Sequence, residues 1–156
     1  MLGADGSTAQ RDLQTAMELV ETCFDMYACF GAKLSPEMVE FVDGRDFVAK
    51  DVRFLMRPEV VEFLFYLFRK TKADKYREYG WKIFEAISTH CRTDVGFSGI
   101  SDIFSSETPL PKDDIQQAYF LSETLKYLFL LFSEDDLLPL DRYIFNTEAH
   151  PLGIWL

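Results

Sequence analysis

An all-α fold is predicted by three features of the sequence. Apolar residues recur at helical spacing in four segments, two of these are amphipathic and two are apolar on almost every side, and strand-like alternation is nearly absent. Only Tyr143-Ile144-Phe145 carries a short β-like pattern. The amphipathic and apolar segments alternate along the chain, as expected of two helical layers with wet outer helices and dry inner ones.

The first helix is expected from about Thr8 to Cys29, with Gly31 as its stop. Leu13, Met17, Val20, Phe24 and Tyr27 form its apolar stripe, while Arg11, Asp12, Glu18 and Glu21 take other faces. Residues 31–56 read as an irregular, solvated loop in which Ser35-Pro36-Glu37 opens a short helical turn and Asp43-Gly44 marks a turn. The second helix runs from Pro58 to about Arg69. Proline suits a first helical position, Glu59 and Glu62 share the first turn, and Phe63–Phe68 is apolar throughout. Acids in a first turn also simply complement the helix dipole.

A third helix is expected over about Lys75 to Cys91, with Tyr76, Tyr79, Ile83, Phe84 and Ile87 facing inward. His90 near its end would meet the negative dipole if protonated. Residues 92–112 form a second loop, where Gly96 and Gly99 permit tight turns and Pro109 and Pro111 prevent helix. The fourth helix starts near Asp113 or Asp114 and reaches about Phe132, polar at its mouth and then apolar. In the tail, Asn146, the single asparagine, or Thr147 would satisfy helix-end groups.

At 156 residues the chain has the size of one domain with a real core, and 48% hydrophobic content argues against disorder. Acids exceed bases 26 to 16, with a formal net charge of −10. That balance argues against a nucleic-acid surface and favours divalent cations or neutral polar ligands. The longest apolar runs, Phe63–Phe68 and Tyr127–Phe132, are too short to span a bilayer, and Met1–Gly6 shows no secretory signal. Cys23, Cys29 and Cys91 lack zinc spacing and are expected to be buried structural thiols.

Three polar clusters occur in order: Arg57-Pro58-Glu59-Val60-Val61-Glu62, Phe120-Leu121-Ser122-Glu123-Thr124-Leu125-Lys126-Tyr127-Leu128, and Phe145-Asn146-Thr147-Glu148-Ala149-His150-Pro151. Together with Lys75–Trp81, Gly96–Gly99 and Leu137–Asp141, they resemble the C-terminal part of glycoside hydrolase family 47, the class I α-1,2-mannosidases. The resemblance covers nearly the whole chain, and Gln116-Gln117 leans toward the Golgi-type branch.

This resemblance implies a C-terminal segment of a barrel of seven inner and seven outer α-helices, residues 1–156 being a partial catalytic domain. It also implies inverting hydrolysis of terminal α-1,2-linked mannose on high-mannose N-glycans of glycoproteins, in the Golgi or endoplasmic reticulum lumen. Inversion needs one carboxylic acid for the leaving oxygen and one carboxylate to activate water. Glu59 matches the general base, and Arg57, Glu62, Tyr119, Glu123 and Glu148 match substrate-binding positions. Thr147 matches the Ca2+ ligand, donating carbonyl and hydroxyl oxygens, with the glutamates holding its outer waters.

Departures from the family pattern are Tyr119 for a phenylalanine, Ala118 for a serine, and Phe63 for a small residue, which is expected to overpack the inner helices. Met1–Ala4 resembles the middle of the family's catalytic domain, so the general acid, a further aspartate, the membrane anchor and the disulfide partner of Cys23 are expected upstream. The expectation is therefore an α-mannosidase segment with negligible turnover by itself. The alternative is a non-catalytic, calcium-dependent mannose-binding remnant. A helical interaction module without a sugar site leaves the three co-occurring motifs unexplained.

Overall fold

The computed structural model describes residues 6–155, so the resemblance read at Met1–Ala4 lies outside the described residues. Most of the ordered structure is helical: α1 (Gly6–Ala28), α2 (Glu59–Thr71), α3 (Lys75–His90), and α4 (Leu125–Phe132), which continues from a π-helical turn at Phe120–Thr124. The all-α expectation needs correcting, because two small antiparallel sheets are also present. One pairs β1 (Met38–Val42) with β2 (Arg45–Asp51), and the other pairs β3 (Tyr143–Phe145) with β4 (Pro151–Gly153).

The helical spacing read from the sequence places the core. Val20, Phe24 and Tyr27 of α1 are buried, with Leu13 and Met17 packed beside them. α2 buries Val61, Leu64, Phe65, Leu67 and Phe68. It packs against α4, α3 and α1, and α3 also touches α4. Phe24 of α1 stacks on Tyr79 of α3 at 3.8 Å with the rings 4° from parallel. Burying such side chains contributes about 1.5–3 kcal/mol each and dominates the stability of the helical pair layers.

Helix ends differ from the sequence reading in informative ways. α1 ends at Ala28, and Gly31 is not left-handed; the left-handed residue beyond it is Lys33 at φ 56°, whose ammonium donates to the Ala28 carbonyl. Pro58 precedes α2 and accepts the Glu62 amide at 2.9 Å, while Glu59 and Glu62 lead its first turn and Arg69 and Lys70 close its last. Both ends therefore suit the macrodipole. At the end of α3, burial and then Lys112 lower the His90 pKa. The Lys112 ammonium itself donates to the His90 carbonyl at 2.6 Å, taking the cationic role expected of the imidazole.

The fourth helix does not begin at Asp113 or Asp114. Asp113 accepts from the Ser98 hydroxyl and the Ile115 amide, and Asp114 is left-handed at φ 60°. Gly99 is required there by close approach, since a Cβ on it would stand 2.5 Å from the Asp113 carboxylate. Nor does Ser35-Pro36-Glu37 open a helical turn: the segment is irregular, and the Glu37 amide donates to Arg53 O at 2.7 Å. Asp43-Gly44 is the hairpin turn between β1 and β2, with Gly44 at φ 77°.

Phe63 does not overpack the interior, as it lies on an open flank of α2 and is 52% exposed. Leu121, Phe129 and Phe132 on the fourth helix and Trp81 on α3 are exposed as well. Of the cysteines only Cys91 is buried, where desolvation pushes its thiol up to about 12; Cys23 is half-buried and Cys29 exposed. No helix among the described residues is long and apolar enough to cross a membrane.

Candidate functional site

The site grows from the turn that leads into α2. Met56 is fully buried yet left-handed at φ 59°, a conformation that costs a non-glycine residue about 1–2 kcal/mol. Two hydrogen bonds from the start of the fourth helix hold it there. The Thr124 hydroxyl donates to Met56 O at 2.7 Å, and the Tyr119 hydroxyl donates to Leu55 O at 2.9 Å. The next residues, Arg57 and Glu59, are thereby fixed on a groove of about 170 Å³ shared with Tyr27, Glu37 and Leu55. A larger cavity of about 430 Å³ lies between α1 and α3, away from the acids.

Arg57 is already engaged. Its Nε donates to the Glu37 carboxylate at 2.5 Å, which raises the guanidinium pKa further, and its head sits 5.7 Å from the Tyr119 ring centroid. Tyr119 is half-buried, and desolvation raises its own pKa. Glu62, one turn beyond Glu59, accepts a hydrogen bond from the buried Tyr127 hydroxyl at 3.1 Å. Burial raises the Glu62 pKa, Tyr127 pulls it back, and the neighbouring Glu59 charge raises it again.

Glu123 sits inside the π-helical turn, where the widened backbone turns it inward; such turns often occur at functional sites. It is 7% exposed and makes no side-chain hydrogen bond among the described residues. Desolvation raises its pKa, and Glu148, Glu59 and Glu62 raise it further, with Lys126 opposing them. Glu148 and Thr147 lie on the exposed turn between β3 and β4. Asn146 builds that turn rather than capping a helix, its side-chain carbonyl accepting the Glu148 amide at 3.0 Å and the His150 amide at 2.9 Å.

The structure thus gathers Glu59, Glu62, Glu123 and Glu148 within electrostatic reach, and Arg57 with Tyr119 beside Glu59. Thr147 stands at the tip of the turn next to Glu148. The four carboxylates, one of them buried, offer oxygen donors of the kind a hard cation takes. Among the described residues no three His, Cys, Asp or Glu groups stand close enough to ligate a metal directly. Carboxylates can serve a cation through bound water as well as by direct ligation.

The electrostatics give a testable pH dependence. Glu62 and Glu123 have folded-state pKa values above the ordinary 4.5, so the folded chain binds their protons before the unfolded chain does. Their contribution to stability is present below the ordinary value and lost as pH rises through the folded-state values. Asp51 and Asp135, held low by Arg53 and Lys72, act in the opposite sense and at lower pH. With divalent cations chelated, Glu123→Gln is expected to raise stability at pH 7 and flatten its dependence between pH 4.5 and neutrality. Urea denaturation across that range measures it, and an unchanged slope would contradict this account.

Several site residues escape sequence reasoning. Glu37, the partner of Arg57, sits twenty positions away in a segment that reads as loop. The clamps of Thr124 on Met56 and of Lys126 on Ala149 end on backbone carbonyls, which no side-chain motif announces. Tyr127 carries some signal, as a lone hydroxyl in an apolar run.

A family profile described as glycosyl hydrolase family 47 matches residues 1–154. Human mannosyl-oligosaccharide 1,2-alpha-mannosidase IB is 48% identical over 159 residues, covering 98% of this chain and 24% of that protein. The human endoplasmic reticulum mannosyl-oligosaccharide 1,2-alpha-mannosidase is 47% identical, covering 92% of this chain and 22% of that one. An alpha-1,2-mannosidase from Trichoderma reesei superimposes with a TM-score of 0.84 and 25% identity, covering 94% of this chain and 35% of the other. The chain spans about a quarter of the length of the curated relatives it matches.

Proposed function

Because the chain belongs to glycosyl hydrolase family 47, we propose that it forms the base-bearing, metal-bearing side of an α-1,2-mannosidase site. The observation that carries this reading is the gathering of Glu59, Glu62, Glu123 and Glu148 from three separate segments, with Glu123 buried and its pKa raised by the other three. An interaction module gives no reason for like charges to gather around one buried carboxyl, whose desolvation is unfavourable.

In this reading the helical layers are part of a barrel of inner and outer helices, a view that the structural likeness supports. Glu59 is the general base, and Arg57, Glu62, Tyr119, Glu123 and Glu148 bind a terminal α-1,2-linked mannose of a high-mannose N-glycan. Thr147 is the calcium ligand through its carbonyl and hydroxyl oxygens. Calcium, when bound, supplies a hard centre for water and sugar hydroxyls. Glu59 accepts the proton of the attacking water, Tyr119 offers an aromatic face to the sugar's C–H groups, and Arg57 stays aligned by Glu37. The compartment is the Golgi or endoplasmic reticulum lumen, with Gln116-Gln117 favouring the Golgi-type branch.

Inverting hydrolysis also requires a general acid. The resemblance assigns that group to a part of the relatives that residues 1–156 do not span, so turnover is read as needing that part as well. Loss of a positioned acid costs about 10²–10⁴-fold. Calorimetry with calcium and an α-1,2-linked mannose disaccharide tests the proposal, with turnover assayed on the same samples. The wild-type chain is expected to bind the sugar only with calcium. Thr147→Ala is expected to abolish that binding, and Glu59→Gln to weaken it by about 10- to 100-fold. A folded chain that binds neither calcium nor sugar sinks the proposal; measurable hydrolysis sinks the assignment of the acid.

A further inference from the structure

The start of the fourth helix touches every other part of the site. Tyr119 and Thr124 hold the Leu55 and Met56 carbonyls, Tyr127 holds Glu62, and the Lys126 ammonium donates to Ala149 O at 2.8 Å. Lys126 is the member of this set that reaches the tail turn. It is a half-buried lysine on an otherwise apolar stretch, and the carbonyl it holds belongs to a fully buried alanine at φ 54°. A left-handed alanine persists only where its surroundings over-determine it. The rest of the turn closes on Asn146, whose backbone carbonyl accepts the Ala149 amide at 3.0 Å and whose amide donates to His150 O at 3.2 Å. These bonds are internal to the turn; of its described hydrogen bonds, the one from Lys126 joins it to another element.

We propose that Lys126 is a positioning residue: by holding Ala149 O it fixes the distance of Thr147 and Glu148 from the acids of α2 and the π-helical turn. This rests on the mannosidase reading for what Thr147 binds, but the tether itself does not. Its chemistry gives a sign that a bystander lysine would not give. Lys126 is a positive charge beside Glu123, so deleting it as a charge alone strengthens the attraction for a divalent cation. Deleting it as a tether lets the turn drift and weakens cation binding.

Two measurements on the full chain decide the matter: calcium affinity by calorimetry, and backbone amide exchange at Glu148, Ala149 and His150. Lys126→Met is expected to speed exchange of these amides by about tenfold while leaving those of α2 and α3 protected. It is also expected to weaken calcium binding by about tenfold or more. Lys126→Arg, which keeps a cationic donor of similar reach, is expected to preserve both within about threefold. Unchanged exchange in the turn, or unchanged or tighter calcium binding by Lys126→Met, overturns the proposal. Loss of both properties in Lys126→Arg also overturns it, and this arm stands if the methionine variant does not fold. If the wild-type chain binds no calcium, the mannosidase reading falls while the exchange measurement still judges the tether.

Discussion

Arg69→Met is expected to destabilise the chain by about 2–4 kcal/mol, because its buried guanidinium, beside Arg77 on Leu131 O and Ser133 O, closes the end of α4 and the turn after it. Its side chain is only 4% exposed. Nη1 donates to Asp135 O at 2.8 Å, and Nη2 points at Leu130 O, Glu134 O and Leu137 O, each at 3.2 Å. The last carbonyls of a helix, such as Leu130 O, have no partner within it, and those of Glu134, Asp135 and Leu137 lie in the turn beyond, so these bonds satisfy acceptors that neither element pairs by itself. Desolvation lowers the Arg69 pKa, and Nε finds no hydrogen bond, only Asp135 at 3.5 Å. Asp135 is largely exposed, so that ion pair adds little. The effect comes from orphaned carbonyls, and Arg69→Lys should therefore recover little, since a point charge cannot serve a fan of acceptors. Urea denaturation measures both variants; a methionine variant within about 0.5 kcal/mol of wild type would refute the capping role.

Phe65→Ala is expected to cost about 3–5 kcal/mol, near the upper range for a single core truncation. The ring is fully buried and has Tyr66, Tyr127 and Phe145 at centroid distances of 5.1, 5.7 and 5.8 Å. It thus joins α2, α4 and β3 in one aromatic cluster, with the Arg69 head 5.0 Å from its centroid. The cavity would free Tyr127 to leave Glu62, so the loss should be felt at the site as well as in the melting temperature. Phe65→Leu should cost clearly less. Calorimetric unfolding gives the ordering, and equal losses for the two variants would contradict a packing origin. Arg69 and Phe65 touch, so the double variant should not show the sum of the two effects.

The three helices α1, α2 and α3 are legible to within about two residues, α1 and α3 because each shows one apolar face to a core and α2 because an apolar run follows a proline and two acids. The β1–β2 hairpin is not. Met38, Phe41 and Val42 are exposed and no face of β1 is buried, so the alternation that marks a strand has nothing to record. The fourth helix was read too early because Asp113 has the chemistry of a cap but spends it on Ser98 and Ile115. Among site residues, the acids were visible as side chains in motifs. What positions them was not visible, because it resides in left-handed Met56 and Ala149, residue types that give no notice of such a backbone.

The hub at the start of the fourth helix also governs the order in which the molecule assembles. Its bonds to Met56, Leu55 and Glu62 join residues 68, 64 and 65 positions apart. Closing a chain loop of that length costs roughly 4 kcal/mol of entropy before any constant is added, more than one such bond returns. None of the three can nucleate folding alone. They share nearly the same loop, however, so the first to close brings the others almost within reach without further cost. Glu123 should therefore join Glu59 and Glu62 in one late, concerted step, after α2 and α3 have formed from local contacts.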